Sequence, residues 1–223
     1  MNITLFKYIA TAVISSVLLS FTVAAQAEIG EDGGQRLKQL LGSFDSFSAE
    51  FDQISAADDS RRMEQSRGTL VMAKPNRFNW VAQEPFPQQL VSDGEILWIY
   101  DPDLEQATRR ALSDQQGSVP ALILNGQVDE LQQSYRIRLL QEKEQSQLFE
   151  LLPLEEQSIF TRIRLLFTDG LIAELQLEDS LGQRTSILFQ NQQLNPELSE
   201  QEFVFVPPEG TDVIIENAAE IAN

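Results

Sequence analysis

The chain has 223 residues, with 34 Asp+Glu against 16 Lys+Arg, a net charge of −18, and neither His nor Cys. That balance argues against nucleic-acid binding, which rests on clustered Lys and Arg at phosphates. The missing His and Cys remove Ser-His-Asp and Cys-His catalysis, nearly every zinc, haem and iron–sulfur site, and all disulfides.

Residues 1–27 have the form of an export signal. Lys7 supplies a positive n-region, Tyr8 to Val23 is a charge-free apolar run, and Ala25-Gln26-Ala27 has the small-x-small form of a signal peptidase site. The apolar run falls short of the roughly 20 residues a membrane span needs. Cleavage is expected after Ala27, giving a mature chain of residues 28–223 in an exported compartment. No Cys follows the cleavage point, so no lipid anchor is expected. Loss of Lys7 leaves 15 basic against 34 acidic residues, a net charge of −19.

After an acidic, Gly-containing stretch, Leu37, Leu40, Leu41, Phe44 and Phe47 form a helical stripe over Gln35 to Phe47, with Gly42-Ser43 as the point where it ends or kinks. The period then changes to two. Phe47, Ala49 and Phe51 alternate with polar residues, which marks a half-buried strand. Ala56 to Arg62 reads as a polar hairpin connection. Strands follow over Gly68–Ala73 and Phe78–Val81, parted by the turn signal Lys74-Pro75-Asn76. Leu90 to Tyr100 reads strand, Asp93-Gly94, strand, since Asp-Gly accepts the positive φ of a tight hairpin turn. A turn at Asp101-Pro102-Asp103 leads to a strand over Glu105–Ala111.

Gln115 to Gln127 breaks the pattern. Within it Val119 to Leu124, with Pro120 near its start, suits one short helix. Strands resume at Ser134–Gln141, Gln147–Leu152, Ile159–Phe167, Leu171–Leu177 and Thr185–Gln190, with Asp169-Gly170 as a second hairpin turn. Phe203 to Val206 precedes Pro207-Pro208, Val213–Ile215 adds a last short strand, and the tail from Asn217 reads as disordered. Some eleven or twelve strands on short turns imply antiparallel neighbours. A sheet of that size twists and curls toward a barrel whose interior needs filling by side chains, a helix or a ligand. Residues 35–215 show no linker or composition break, which predicts one domain.

Chemistry-bearing patterns are sparse. Asp58-Asp59 and Glu155-Glu156 are adjacent pairs, which on a strand point to opposite faces, and Asp101 with Asp103 lacks the further oxygen ligands of a calcium loop. No Ser-x-x-Lys, Gly-x-Ser-x-Gly or phosphate-binding glycine loop occurs. No catalytic residue, metal or cofactor is predicted. What stands out is apolar bulk sharing strand faces: Leu70 with Met72, Phe78 with Trp80, and Ile96 with Trp98 and Tyr100. Such residues either form a core or line a lipid site, and the pattern leaves both open.

Four segments in order resemble the outer-membrane lipoprotein carrier family LolA. They are Ser46-Phe47-Ser48-Ala49-Glu50-Phe51-Asp52-Gln53, Lys74-Pro75-Asn76-Arg77-Phe78-Asn79-Trp80, Val91 to Pro102 with its Ser-Asp-Gly and Leu-Trp-Ile-Tyr, and Phe203 to Gly210 with its Pro-Pro-Glu-Gly. The resemblance implies a mainly-β fold with helices: an unclosed antiparallel β-barrel of about 11 strands around a hydrophobic cavity, capped by a helical lid. It implies a monomeric periplasmic chaperone, not an enzyme, that needs no cofactor. Its expected partners are acylated lipoproteins, an inner-membrane ABC transporter of the LolCDE type and the outer-membrane receptor LolB. On this reading Leu70, Met72, Phe78, Trp80, Trp98 and Tyr100 are expected on the cavity wall, and Pro120, Leu122 and Ile123 on the lid. The family places an Arg before its Pro-Asn as a lid latch. Here that position is Lys74, which keeps the charge but lacks the planar five-donor fork. The alternative is a LolA-like periplasmic sensor of lipid or lipoprotein acting on a membrane partner. An esterase or glycan-modifying enzyme is disfavoured by the absent His.

Overall fold

The structure is a computed structural model that describes residues 33–56, 63–112 and 119–216. The leader with its cleavage point, the polar stretch after Ala56 and the tail from Asn217 lie outside the described residues. The chain opens with helix α1 (Gly33–Leu41), followed by β1 (Ser46–Ala56), β2 (Met63–Ala73), β3 (Arg77–Glu84), β4 (Gln88–Asp93), β5 (Ile96–Asp101) and β6 (Gln106–Ala111). Two short helices come next, α2 (Val119–Leu124) and α3 (Val128–Ser134). The second half runs β7 (Tyr135–Lys143), β8 (Ser146–Pro153), β9 (Phe160–Thr168), β10 (Leu171–Asp179) and β11 (Arg184–Leu194), then a 3₁₀ turn at Glu200–Phe203 and β12 (Asp212–Glu216).

All twelve strands join one sheet in the order β12-β6-β5-β4-β3-β2-β1-β11-β10-β9-β8-β7. β7 and β12 are its two edges, so the barrel is unclosed. Neighbours from β6 through β1 and β11 to β7 are antiparallel, joined by hairpins except where β1 meets β11, while β12 is parallel to β6. The expected all-antiparallel sheet is corrected at that edge. The chain returns from β11 through residues 195–211 before pairing, and so approaches β6 in its own direction. Register shifts at Ser48/Glu50, Arg67/Gly68, Leu139/Gln141, Ile172/Glu174 and Glu178/Asp179 are bulges, which sharpen the twist and bend the sheet.

Helix α1 ends earlier than its apolar stripe. The amides of Gly42 and Ser43 bond back to the carbonyls of Lys38 and Leu40, and Ser46 already pairs with Ala73. Phe44 and Phe47 thus continue the stripe in sequence but reach the core from a loop and a strand. Helix α3 is not legible as a periodic segment, since only Val128 and Leu131 are buried on it.

The core lies on the concave face. On β7–β11 it comprises Ile137, Leu139, Phe149, Leu151, Ile163, Leu165, Phe167, Leu175, Ile187 and Phe189. α1 and α3 close over this half through Leu37, Leu41 and Leu131, all fully buried. Gly33 lies so near the β7 backbone that a β-carbon would sit 2.9 Å from the Leu139 nitrogen. On the other half, Phe51 stacks on Trp80 with ring centroids 3.9 Å apart. Gly68 makes that stack possible: a β-carbon there would overlap the Val81 carbonyl oxygen and reach 2.9 Å from the Phe51 ring. Gly68→Ala should therefore lower the unfolding free energy by about 1–3 kcal/mol, the usual cost of overpacking, as read from a urea titration.

The candidate apolar cavity and its lid

The register decides which side chains enter the barrel. Across β1 to β4, Phe47, Met72, Phe78 and Ser92 stand in one row, and Ala49, Leu70, Trp80 and Leu90 in the next. These rows face the interior. Among the described residues, helices α1 and α3 cover the β7–β11 half, and the six-residue α2 lies over the β2–β6 half. The result is a cavity of about 380 Å³ between α2 and the sheet. Leu70, Met72, Phe78, Trp80, Leu90 and Leu97 form its main wall, with Leu175, Ile187 and Phe189 at the back. Pro120, Leu122 and Leu124 of α2 form its roof. Ile123, also on α2, is fully buried in the core and anchors the helix from its other side.

Of the six expected wall residues, the structure brings together Leu70, Met72, Phe78 and Trp80. Trp98 and Tyr100 are not on this wall, which corrects the sequence reading. Trp98 pairs with Val91 and Val91 with Asn79, the opposite pleat from Phe78 and Trp80. Both rings stand on the convex face, where they pack against Phe205 at centroid distances of 5.4 and 5.3 Å. The segment after the 3₁₀ turn is pinned there by Arg77 to Glu200 at 2.8 Å and by the Asn79 side-chain amide donating to the Glu202 carbonyl. Phe203 to Val206 is thus a covering segment rather than a strand. Sequence alternation could not reveal this, because β5 is apolar on both faces: Leu97 and Ile99 point in, Trp98 and Tyr100 out. Leu90, Leu97, Leu175, Ile187 and Phe189 escape a sequence reading because they look like ordinary strand core.

Lys74 sits in the β2–β3 turn. Its ammonium donates to the carbonyls of Leu41 and Phe44, each at 2.6 Å, and lies 4.4 Å from the centre of the Phe44 ring. It therefore satisfies carbonyls at the end of α1 and just beyond it, a place suited to a cation. The lid meets the same turn next door. The Asn76 amide donates to the Asn125 side chain at 2.8 Å, and a β-carbon on Gly126 would come 3.3 Å from the Lys74 Nζ. Gly126 has φ +69°, and the amides of Gly126 and Gln127 close α2 onto the carbonyls of Ile123 and Leu122. Burial pushes the Lys74 pKa below its ordinary 10.5, against a smaller opposing pull from Asp45.

Among the described residues, an open, curled sheet, antiparallel except at its β12 edge, holds an apolar cavity roofed by a short helix, the architecture of a carrier of apolar cargo. The model of the family "Outer membrane lipoprotein carrier protein LolA" matches residues 42–206. An outer-membrane lipoprotein carrier protein of Chromohalobacter salexigens is 37% identical over 198 residues, covering 89% of this chain and 93% of that protein. One from Azotobacter vinelandii is 38% identical over 205 residues, covering 90% and 98%. A crystal structure of an uncharacterized conserved protein from Thermus thermophilus shares the fold, with a TM-score of 0.53 at 11% identity over 82% of this chain and 98% of that one. The chain belongs to the LolA outer-membrane lipoprotein carrier family. It is a periplasmic chaperone that shuttles lipoproteins between membranes, engages membrane partners and is not an enzyme.

The folded-state pKa of Lys74 gives a signed prediction. Burial makes the charged ammonium costly in the folded state. As pH rises toward 10.5 the folded protein loses the proton before the unfolded chain does, and stability rises. A guanidinium stays charged throughout that window. The stability of the wild type relative to Lys74→Arg should climb as pH approaches 10.5 from below, measured by urea denaturation at each pH.

Proposed function

We propose that the mature chain, residues 28–223 as one domain, shelters lipoprotein acyl chains in the cavity under α2. It takes them from an inner-membrane ABC transporter of the LolCDE type and passes them to the outer-membrane receptor LolB. The observation that supports this is the cavity itself: leucines, Met72, Phe78 and Trp80 left unfilled under a helix only six residues long. Burial stabilises an acyl chain by about 0.8 kcal/mol per methylene, so a dozen methylenes contribute roughly 10 kcal/mol. Without such a site, release into water would be very slow. α2, carrying Pro120, Leu122 and Ile123, serves as the lid. Lys74 serves as the latch indirectly, by fixing the turn whose Asn76 holds Asn125. Opening would expose the wall, and closure would hide it again. Transfer requires no bond chemistry in this chain, only a partner that binds the cargo more tightly.

The two tryptophans test the site. Trp80 is on the wall and Trp98 on the convex face. Loading a lipoprotein with brominated acyl chains should quench the Trp98→Phe protein strongly, through the remaining Trp80, and leave Trp80→Phe nearly unchanged. Equal quenching of both would place the acyl chains elsewhere. In the same samples the purified chain should keep acylated lipoprotein soluble and yield it to LolB-bearing vesicles. If it does neither, the carrier reading fails.

A further inference from the structure

One polar group on the cavity wall does not belong to the latch or the lid. Adjacent arginines on β6 diverge. Arg109 turns outward, its guanidinium 6.0 Å from the Trp98 ring centre, whereas Arg110 turns inward and lines the cavity. By register Arg110 stands beside Leu97, itself buried on the wall. Its Nε is buried and has no hydrogen-bond partner among the described residues. Its Nη1 lies 3.6 Å from a Glu216 carboxylate oxygen on β12, too long for a good hydrogen bond. Several other polar groups at the cavity are engaged elsewhere. Arg77 reaches Glu200 on the convex side, Gln127 donates to Glu130, and the Asn76 amide donates to Asn125. A buried donor without an acceptor is rare in a folded protein and marks a place where one is missing.

We infer that Arg110 receives the oxygen-bearing head of the acyl ligand, a carbonyl or carboxylate oxygen, while the chain beyond it lies on the leucine and aromatic wall. This rests on the carrier reading above and adds to it a specificity-determining contact. The guanidinium presents Nε and an Nη in one plane, a geometry suited to two acceptor oxygens or to one shared carbonyl. Apolar packing alone would treat a hydrocarbon and an acyl ester alike. Arg110 gives the cavity a polar end, and so a direction in which the chain enters. The ester and amide carbonyls of an acylated lipoprotein and the carboxylate of a free fatty acid share this chemistry.

The test uses the purified mature protein and diphenylhexatriene, a hydrocarbon dye, as reporter of the cavity. Palmitate and methyl palmitate serve as competitors. In Arg110→Met the dye should bind as in the wild type, while the competitors should be weakened roughly tenfold or more, the loss expected for a charge-assisted hydrogen bond. Weakening of palmitate alone assigns the site to a free carboxylate; weakening of both assigns it to an acyl carbonyl, as a lipoprotein ester supplies. Arg110→Lys should restore part of the affinity. Glu216→Gln removes the neighbouring carboxylate charge and keeps the guanidinium, so it should retain competitor binding. Competition in Arg110→Met equal to wild type overturns the inference and leaves the carrier reading standing. Equal losses in Arg110→Met and Glu216→Gln also overturn it, because they would trace the effect to the β6–β12 edge. Failure of the wild type to bind the dye overturns both.

Discussion

A large antiparallel sheet that curls without closing has a concave face its own side chains cannot fill, and the rest of this structure depends on how that face is covered. Twist and bulges bring the strands round, but β7 and β12 never pair. Two helices with deep leucine contacts seal the β7–β11 half into a conventional core. Among the described residues, the β2–β6 half receives the six residues of α2. The cavity follows, among the described residues, from that unequal cover.

Unequal cover also sets the energetic balance a carrier needs. An acyl chain must be buried well enough to leave a membrane and weakly enough to leave the carrier. A short helix offers little area of its own. Its hold comes from Ile123 and Leu122 in the core and from the Asn76 amide of the β2–β3 turn donating to Asn125 just after α2. That turn is in turn fastened by Lys74 to the end of α1. In the proposed carrier cycle this small patch of backbone would couple α2 to the end of α1, so that changes of a few hydrogen bonds there would shift an open–closed equilibrium.

The convex face is handled differently in its two halves. Over β3–β6, Phe205 packs on Trp98 and Tyr100, and Val91 and Ala107 on the same face are buried, so the sheet is apolar on both sides there. Over β7–β11 the face is charged. Glu150, almost buried, lies 3.1 Å from Arg164, 3.5 Å from Arg162 and 3.9 Å from Arg138. These arginines are compensated locally, so the strongly acidic net charge is expressed over the remaining surface. For a soluble protein passing between anionic membrane surfaces, such a charge keeps nonspecific adsorption low.

The amino-acid sequence by itself determined the class of fold: alternation marked most strands, Asp93-Gly94 and Asp169-Gly170 fixed two turns, and Pro120 sat in a short helix. It also determined what the chain cannot do, since catalysis by His or Cys requires residues it lacks. The segments Lys74-Pro75-Asn76 and Phe78-Asn79-Trp80 carried part of the family resemblance, and Phe78 and Trp80 line the cavity. Only the tertiary structure decided which face of β5 is interior, because a strand buried on both sides carries no alternation to read. It moved Trp98 and Tyr100 outward under Phe205, gave Lys74 the carbonyls of Leu41 and Phe44, and set Arg110 facing an apolar wall. Those outcomes depend on register and on segments far apart in the chain, such as Phe205 against Trp98. Local propensity holds no record of such contacts.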